Sequence, residues 1–214
     1  MKILFENDAI VIAEKPCGVL SEQSPCGDDA VSVLSRETSS AIYPVHRLDR
    51  AVGGVMLFAK SAKAASVLST DGAFEKEYIA VVHGDTDASG ELTDLLFKDS
   101  RTNKSYVVKR MRRGVRKARL EYKTLAAKNG LSFVSVRLLT GRSHQIRVQF
   151  SSRRHPVVGD GKYGASDGCD IALFLRKIVI PSFDGESISA SSRPDTARYP
   201  WSEFSGIFDE VDKV

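Results

Sequence analysis

The feature that most constrains the fold of this chain is a series of short apolar runs that turn residues interrupt every few positions. Runs of this length, bounded by Gly, Pro, Asn or Ser, are typical of β-strands. They predict strands over residues 9–13, 55–59, 77–82, 105–109, 119–126, 131–138 and 172–180. Short helices are predicted after Asp28-Asp29 and after Ser61, which can cap them, and over residues 143–151. Because strands outnumber helices and the links are short, we predict an α+β fold with a mainly antiparallel sheet.

The length and the composition indicate one globular domain. The 214 residues are enough for one large domain or two small ones, and no Pro- or Gly-rich linker divides them. We therefore expect a single domain over residues 1–214. After residue 180 the composition turns to Ser, Asp and Pro, which predicts a surface-wrapping tail over residues 181–214. The hydrophobic share of 42% is ordinary for a globular protein and excludes a disordered or fibrous chain.

The cysteines and the first residues indicate a reducing compartment. Cys17, Cys26 and Cys169 are odd in number and have no C-x-x-C spacing, which argues against a disulfide framework or a zinc–thiolate site. The four histidines have no metal-ligand spacing, so no metal site is predicted. Acidic residues come too early for a signal peptide, and the apolar runs are far shorter than a membrane span. We expect a cytoplasmic protein that is not inserted in a membrane.

Positive charge is concentrated in one part of the chain. Lysine and arginine exceed aspartate and glutamate by 31 to 27, a mild excess that only permits a polyanionic partner. Seven basic residues lie within residues 109–119, with no acid among them: Lys109, Arg110, Arg112, Arg113, Arg116, Lys117 and Arg119. A solvated hairpin tip would explain such a run, but the lack of compensating acids favours a surface that contacts phosphates. Residues 85–99 are acidic by contrast, which predicts a polarised surface.

One carboxylate stands out within residues 43–54. Asp49 has His46, Arg47 and Arg50 as close neighbours and comes shortly before a glycine pair and a predicted buried strand. An aspartate beside arginines often does no more than form an ion pair and cap a turn. The functional interpretation is a carboxylate that cations keep ionised and a tight loop presents, as a nucleophile or a general base requires.

A second informative stretch is residues 138–147, where a predicted strand ends and a helix begins. Arg142 lies at the apex of the connecting loop, beside a helix N-terminus that favours anions. Ordinary helix capping is the alternative interpretation. We expect His144 to order this loop rather than to transfer protons. The glycines of residues 155–164 match neither the dinucleotide-binding nor the P-loop spacing, so no nucleotide site is predicted.

Four motifs occur together and in one order. They are His-Arg-Leu-Asp at residues 46–49, Lys-Glu-Tyr at 76–78, Leu-Thr-Gly-Arg-Ser-His-Gln-Ile-Arg at 139–147 and Val-Gly-Asp-Gly-Lys-Tyr-Gly at 158–164. With these motifs the chain resembles the RluA-type RNA pseudouridine synthases over nearly its whole length. The resemblance implies an enzyme that converts a uridine of structured rRNA or tRNA to pseudouridine without a cofactor or metal. It also implies the α+β pseudouridine synthase fold, with a mixed, mainly antiparallel sheet, flanking helices and a central basic cleft, and leaves no room for a separate N-terminal RNA-binding domain.

The resemblance implies roles for individual residues. Asp49 would be the catalytic aspartate, Tyr78 would pack against the target base and Arg142 would pair with Asp49. The residues expected to contact RNA are Arg47, Lys76, Gln145, Arg147, Arg110, Arg112 and Arg113. For Tyr78 the alternative is a core aromatic, and for Lys76 it is a solvent-facing strand residue. Where the family usually has Thr-Ser-Gly after the aspartate loop, this chain has Val52-Gly53-Gly54, which changes the hydrogen bonding expected there.

Two other functions are compatible with the residues. A non-catalytic RNA-binding module can keep the same fold, although the intact set of Asp49, Tyr78 and Arg142 argues against it. An enzyme that cleaves glycosides or nucleosides can also use Asp49, but that chemistry commonly needs a second carboxylate, and none lies near Asp49 in the sequence. The expected partner is structured RNA, with no obligate protein partner. The sequence leaves open which RNA is modified, and whether Asp49 attacks the sugar or removes a sugar proton.

Overall fold

The computed structural model describes residues 1–25, 28–70, 72–183 and 185–211. Cys26 and parts of the predicted tail, residues 184 and 212–214, lie outside the described residues. The strands are β1 (Lys2–Glu6), β2 (Ile10–Lys15), β3 (Tyr43–Pro44), β4 (Gly53–Ala59), β5 (Glu75–His83), β6 (Ser89–Asp99), β7 (Lys104–Val108), β8 (Val115–Lys128), β9 (Leu131–Leu138), β10 (Leu173–Phe183) and β11 (Glu186–Ser191). The α-helices within these ranges are α1 (Ala30–Thr38), α2 (Ala62–Leu68), α3 (Gln145–Ser151) and α4 (Ser205–Val211), and no helix of the described residues is long and apolar enough to cross a membrane.

These elements form an α+β fold with a mixed, mainly antiparallel sheet, which confirms the predicted fold class. All seven predicted strands are present, and β9 has the predicted bounds. By contrast, β1, β3, β6 and β11 have no counterpart in the prediction. The chain forms two compact units: the first consists of Met1–Glu77 and Phe174–Pro194, and the second of Tyr78–Leu173 and Asp195–Val214. Each unit is therefore built from two separate stretches of chain.

In the first unit, buried strands form the centre of the sheet. The strand order is β1-β2-β4-β10, with β3 also paired to β4 and β11 to β10. β2 runs antiparallel to β4, whereas β10 runs parallel to it. Every residue of β4 is buried, as its continuous apolar sequence predicts. Helix α1 begins at the predicted cap, because the Asp29 carboxylate accepts a hydrogen bond from the Ser32 amide at 2.8 Å.

In the second unit, the strand order is β5-β9-β8-β6-β7. β8 pairs antiparallel with β9 and with β6, and β6 pairs antiparallel with β7. Because β6 lies between β7 and β8, residues 109–114 cross over β6 to join its two neighbours. The basic run is therefore not the tip of a hairpin, which was one of its two interpretations. The physical reason is that β6 takes the place between two strands that the sequence pattern joined directly.

The last part of the chain, expected to be a surface tail, contributes to both units. β11 extends the sheet of the first unit by pairing antiparallel with β10. In the second unit Trp201, Phe204 and Phe208 are buried beside Phe133. The ring centroid of Phe133 lies 5.5 Å from that of Phe204 and 5.2 Å from that of Phe208. These residues therefore belong to the packed interior of their units.

Candidate active site

Asp49 lies on a tight turn between β3 and β4 in the first unit. The Val52 amide donates a hydrogen bond to the Asp49 carbonyl at 2.9 Å, which closes the turn through the backbone. Asp49 is half-buried. The turn thus fixes the backbone that carries the carboxylate, shortly before β4 begins.

The departure from the family pattern at Val52-Gly53-Gly54 has a local explanation. Val52 is buried, at 2% exposure, and its amide closes the turn without help from a hydroxyl. Gly54 has φ +135°, and a Cβ there would lie 2.4 Å from the Leu175 carbonyl oxygen of β10. A Cβ at Gly53 would lie 3.2 Å from the Phe174 ring. Both glycines therefore allow β10 to approach the beginning of β4 closely.

The segment that follows β2 holds the Asp49 turn from the other side; we call residues 15–21 the clamp. The Gly18 amide donates to the Arg50 carbonyl at 2.8 Å, and the Arg50 Nε donates back to the Gly18 carbonyl at 2.9 Å. The Ser21 hydroxyl donates to the Leu48 carbonyl at 2.8 Å and accepts from the Leu48 amide at 3.0 Å. These reciprocal pairs lie on both sides of Asp49 in the sequence, so the clamp restricts the backbone that carries the carboxylate.

Lys15 is a functional candidate that the sequence analysis missed. Its side chain is completely buried, and its Nζ donates to the carbonyls of Val19 at 2.8 Å, Pro16 at 3.0 Å and Arg50 at 3.4 Å. The first two carbonyls belong to the clamp and the third to the Asp49 turn. A single ammonium group therefore connects the two segments. The sequence gives only a weak local signal, since Lys15 follows the apolar run of residues 9–13 with Glu14 between them.

The charge of Lys15 is coupled to Asp49. Burial lowers the pKa of the Lys15 ammonium from 10.5 to about 8, while Cys17 and Asp49 act in the opposite direction and raise it. Lys15 thus supplies the positive charge that the sequence analysis expected from neighbouring arginines.

Those neighbouring arginines have other partners. Arg47 forms an ion pair with Glu22 at 2.9 Å, with 60% of the Arg47 side chain exposed. Arg50 donates to the Gly18 carbonyl, as described above. An exposed pair such as Arg47 with Glu22 contributes little stability, so Arg47 can exchange this partner for a phosphate.

His46 has a structural position in the same motif. Its Nε2 accepts a hydrogen bond from the Leu57 amide of β4 at 3.2 Å. Burial, and secondarily the charge of Lys76, lowers the pKa of His46 to about 3, so the imidazole is neutral at physiological pH. Lys76 is half-buried, and its Nζ lies 4.6 Å from the centroid of the Phe74 ring. Among the described residues, no group of three His, Cys, Asp or Glu side chains is placed to hold a metal ion.

The loop that carries Arg142 lies in the second unit and is organised by Gln145. The Gln145 Oε1 accepts from the Arg142 amide at 2.9 Å and from the Thr140 hydroxyl at 2.8 Å, while its Nε2 donates to the Arg119 carbonyl at 2.9 Å. Arg142 itself is exposed, and its Nε donates to the Lys117 carbonyl at 3.1 Å. The loop and β8 thus form one hydrogen-bonded structure, with Gln145 buried at its centre.

His144 and Arg147, from the same motif, face the interior of the second unit. His144 Nδ1 lies 2.8 Å from the Tyr163 hydroxyl, and its expected role in ordering the Arg142 loop stays a prediction. Arg147 is buried and forms two hydrogen bonds of 2.7 Å with the carboxylate of Asp160. Its guanidinium is committed to this internal ion pair. The RNA contacts expected of Gln145 and Arg147 stay predictions, and their burial favours a structural role.

Tyr78 and the basic run complete the set of expected residues. Tyr78 lies on β5 and is buried, at 7% exposure, so its predicted contact with a base stays a prediction. All basic residues of 109–119 are exposed. The Arg112 guanidinium lies 5.0 Å from the centroid of the Phe97 ring, and Arg119 pairs with Glu91 at 3.0 Å. The run therefore presents most of its charge to solvent.

Known proteins are similar to this chain in sequence. Residues 9–152 match the family model described as RNA pseudouridylate synthase. The chain is 30% identical over 181 residues to tRNA pseudouridine synthase C of Haemophilus ducreyi, an alignment that covers 77% of this chain and 74% of that protein. It is 34% identical over 175 residues to the dual-specificity RNA pseudouridine synthase RluA of Vibrio vulnificus, with 78% and 70% covered. Several other relatives are longer, and the alignments cover 57% of their length.

A solved structure shows the same fold. Human RNA Pseudouridylate Synthase Domain Containing 4 superposes with a TM-score of 0.76 over 97% of this chain and 93% of that one, at 20% sequence identity. The resemblance drawn from the four motifs is confirmed by the family model, which spans more than half of the chain, and by relatives at 30% identity or above. The chain belongs to the RluA-type family of RNA pseudouridine synthases.

Proposed function

We propose that the protein isomerises a uridine of structured tRNA or rRNA to pseudouridine, with Asp49 as the catalytic carboxylate. The observation that carries the proposal is the position of Asp49. It lies on a backbone-closed turn, held by the clamp and beside the buried ammonium of Lys15. A carboxylate fixed in this way near a positive charge is positioned for a reaction at a sugar carbon.

The reaction needs one such group and no redox step. The bond between N1 of uracil and C1′ of the ribose breaks, the base turns, and a bond forms between C5 and C1′. The proton leaves C5, and N1 takes up a proton, so that product and substrate are isomers. Asp49 can begin this sequence by attack at C1′ or by removal of the proton at C2′. We expect neither a cofactor nor a metal, because no electron or phosphoryl group is transferred.

The target base must leave its stack before either route can start, at a cost of a few kcal/mol. We propose that Tyr78 supports the displaced base and that Arg142 keeps the role that the family resemblance implies. Arg47, Lys76 and the exposed arginines of the basic run are proposed to contact the phosphate backbone. Cations at these positions attract RNA of any sequence.

We base the proposed range of substrates of this protein on the names of its relatives. One relative is named for tRNA, and another is named as a dual-specificity RNA pseudouridine synthase. We therefore propose tRNA or rRNA as the substrate class and expect the activity in the cytoplasm. Pseudouridine mapping of total RNA from cells with and without the gene would identify the modified uridine.

The decisive variant is Asp49→Asn, which keeps the size of the side chain and removes its charge. RNA labelled with tritium at C5 of uridine releases tritium when C5 bonds to the sugar. We expect the variant to lose about a hundredfold of the rate or more, with nearly unchanged RNA affinity, because the carboxylate acts on the sugar and not on the backbone. Asp8→Asn, at an exposed position of the same unit, is the matched control and should behave like the parent.

The same assay separates the alternatives. A rate within tenfold of the parent in Asp49→Asn contradicts the catalytic assignment. A parent protein that binds structured RNA but releases no tritium from any candidate RNA indicates the non-catalytic binding module. Release of free uracil without pseudouridine indicates a nucleoside-cleaving enzyme.

A further inference from the structure

An exposed aromatic residue lies within the basic part of the second unit. Tyr106 is on β7, the last strand of its sheet, and is 42% exposed. Its neighbour Ser105 is 2% exposed and donates to the Ser143 carbonyl at 2.6 Å, so Ser105 faces the interior. Because successive side chains of a strand point to opposite faces, Tyr106 faces outward.

Tyr106 belongs to a row of aromatic and cationic side chains. It is directly opposite Phe97 of β6, and cross-strand partners share one face of a sheet. The Nζ of Lys104 lies 5.8 Å from the Tyr106 ring centroid, and the Arg112 guanidinium lies 5.0 Å from the Phe97 ring centroid. We call Lys104, Tyr106, Phe97 and Arg112 the aromatic row. Residues 109–114, which cross over β6, bring Arg112 to this face.

We propose that the aromatic row binds an unpaired base of the RNA substrate, with Tyr106 as its stacking surface and Lys104 and Arg112 on the adjoining phosphates. The proposal rests on the proposed function and adds a feature of the substrate, a single-stranded stretch outside the uridine that reacts. Unpaired bases stack on exposed aromatic rings, and every base has a face suited to this. In a duplex the bases are already stacked, so the ring of Tyr106 has nothing to bind there.

The surroundings of the row favour RNA as the occupant. Seven basic residues lie within 109–119 and all are exposed, which complements a polyanion. A lysine such as Lys104 is sufficient to protect an edge strand against pairing with another chain. Edge protection therefore does not require the exposed tyrosine beside it. Arg112 already lies over an aromatic ring, which is the arrangement that a guanidinium adopts beside a stacked base.

The test compares two RNA probes with equal numbers of phosphates, a hairpin with an unpaired loop and a blunt duplex. Binding of the full chain is measured by fluorescence anisotropy for the parent, Tyr106→Leu and Tyr106→Phe. We expect Tyr106→Leu to bind the hairpin about tenfold more weakly and the duplex equally well, since the loss is that of one stacked base. Tyr106→Phe keeps the ring and should bind both probes like the parent.

Tyr199→Leu is the matched control. Tyr199 is 48% exposed in the same unit, and burial together with the carboxylates Asp167 and Glu203 raises its pKa. Acidic neighbours repel phosphates, so this variant should bind both probes unchanged.

The proposal is overturned if Tyr106→Leu weakens both probes equally, weakens neither, or if Tyr106→Phe loses as much affinity as Tyr106→Leu. Pseudouridine formation is measured separately on the same preparations. A parent that forms no pseudouridine but shows the expected binding pattern contradicts the proposed function and supports the aromatic row. If the parent forms pseudouridine and Tyr106→Leu binds both probes like the parent, the proposed function is supported and the aromatic row is contradicted.

Discussion

Lys15 shows how one buried charge can organise a functional turn. Removing an ammonium group from water is unfavourable unless hydrogen bonds replace the lost hydration. Here three carbonyl oxygens accept from its Nζ, two in the clamp and one at Arg50. The nearby Asp49 carboxylate offsets part of the remaining penalty. An apolar side chain would fill the space but would leave these carbonyls without their donor, so the amino group is what connects the clamp to the turn.

Because the Lys15 amino group is buried, the difference in the free energy of unfolding between the parent and Lys15→Met should depend on pH. The pKa of Lys15 is about 8 in the folded parent and 10.5 in the unfolded chain. Between these pH values the unfolded chain binds more protons than the folded chain, so the free energy of unfolding rises as the pH rises from about 8 to about 10.5. This contribution of Lys15 to stability is lost again as the pH falls through 8. We expect the free energy of unfolding of the parent, relative to Lys15→Met, to rise by on the order of 3 kcal/mol across this window.

Urea unfolding at a series of pH values measures this difference. Lys63→Met, at an exposed position of α2, is the control and should follow the parent at every pH. A constant difference between the parent and Lys15→Met from pH 7 to 10.5 would show that the ammonium is not held in the buried position described above.

At the level of elements, β6 shows which strands the sequence pattern could predict and which it could not. Residues 85–99 read as an acidic surface segment, because acids alternate irregularly with the apolar triplet at 95–97. In the structure two of these acids have partners that are distant in the sequence: Glu91 pairs with Arg119 at 3.0 Å and Asp94 with Arg153 at 2.8 Å. Pattern analysis detects strands with one buried face, whereas β6 is covered by neighbours that are distant in sequence. The crossover of residues 109–114 follows from β6 and could not be predicted without it.

The arginines of the crossover, residues 109–114, and of the start of β8 are predicted to contact RNA phosphates. Replacing Arg110, Arg112, Arg113 and Arg116 with alanine should weaken binding to all RNAs alike, because phosphates are the same at every position. Each lost phosphate contact should also reduce the slope of log affinity against log salt by about 0.7–0.9. Dissociation constants of target and unrelated RNA at several salt concentrations measure both effects.

The alternative role for the crossover is selection of the modified site. In that case the four-alanine variant keeps its affinity for unrelated RNA and its salt slope, while modification of the true target falls. The exposed positions of these arginines make a folding defect an improbable source of either result, and thermal unfolding of the variant checks this. An unchanged salt slope rules out the phosphate contacts.

At the scale of the molecule, the sequence was sufficient for the fold class and the motifs but not for the contacts that join distant segments. The strands with continuous or alternating apolar residues, such as β4 and β9, were predictable from local pattern alone. The ion pair of Arg147 with Asp160 and the bond from Lys15 to Arg50 depend on how segments meet, which no local pattern records. For the same reason residues 181–211 read as a polar tail, although they supply buried residues to both units.

The terminal aromatic residues carry the last prediction. Phe208 of α4 is completely buried, and its ring centroid lies 5.2 Å from Phe133 and 6.2 Å from Trp201. Phe208→Ala removes most of a buried ring and leaves a cavity, so we expect the free energy of unfolding to fall by about 3–5 kcal/mol. Phe208→Leu keeps more of the volume and should lose clearly less. Denaturant unfolding followed by circular dichroism measures both variants. A loss below about 1 kcal/mol in Phe208→Ala, within the range of ordinary surface substitutions, would mean that α4 is a peripheral tail after all. The expected loss would instead show that the second unit needs the end of the chain to complete its core.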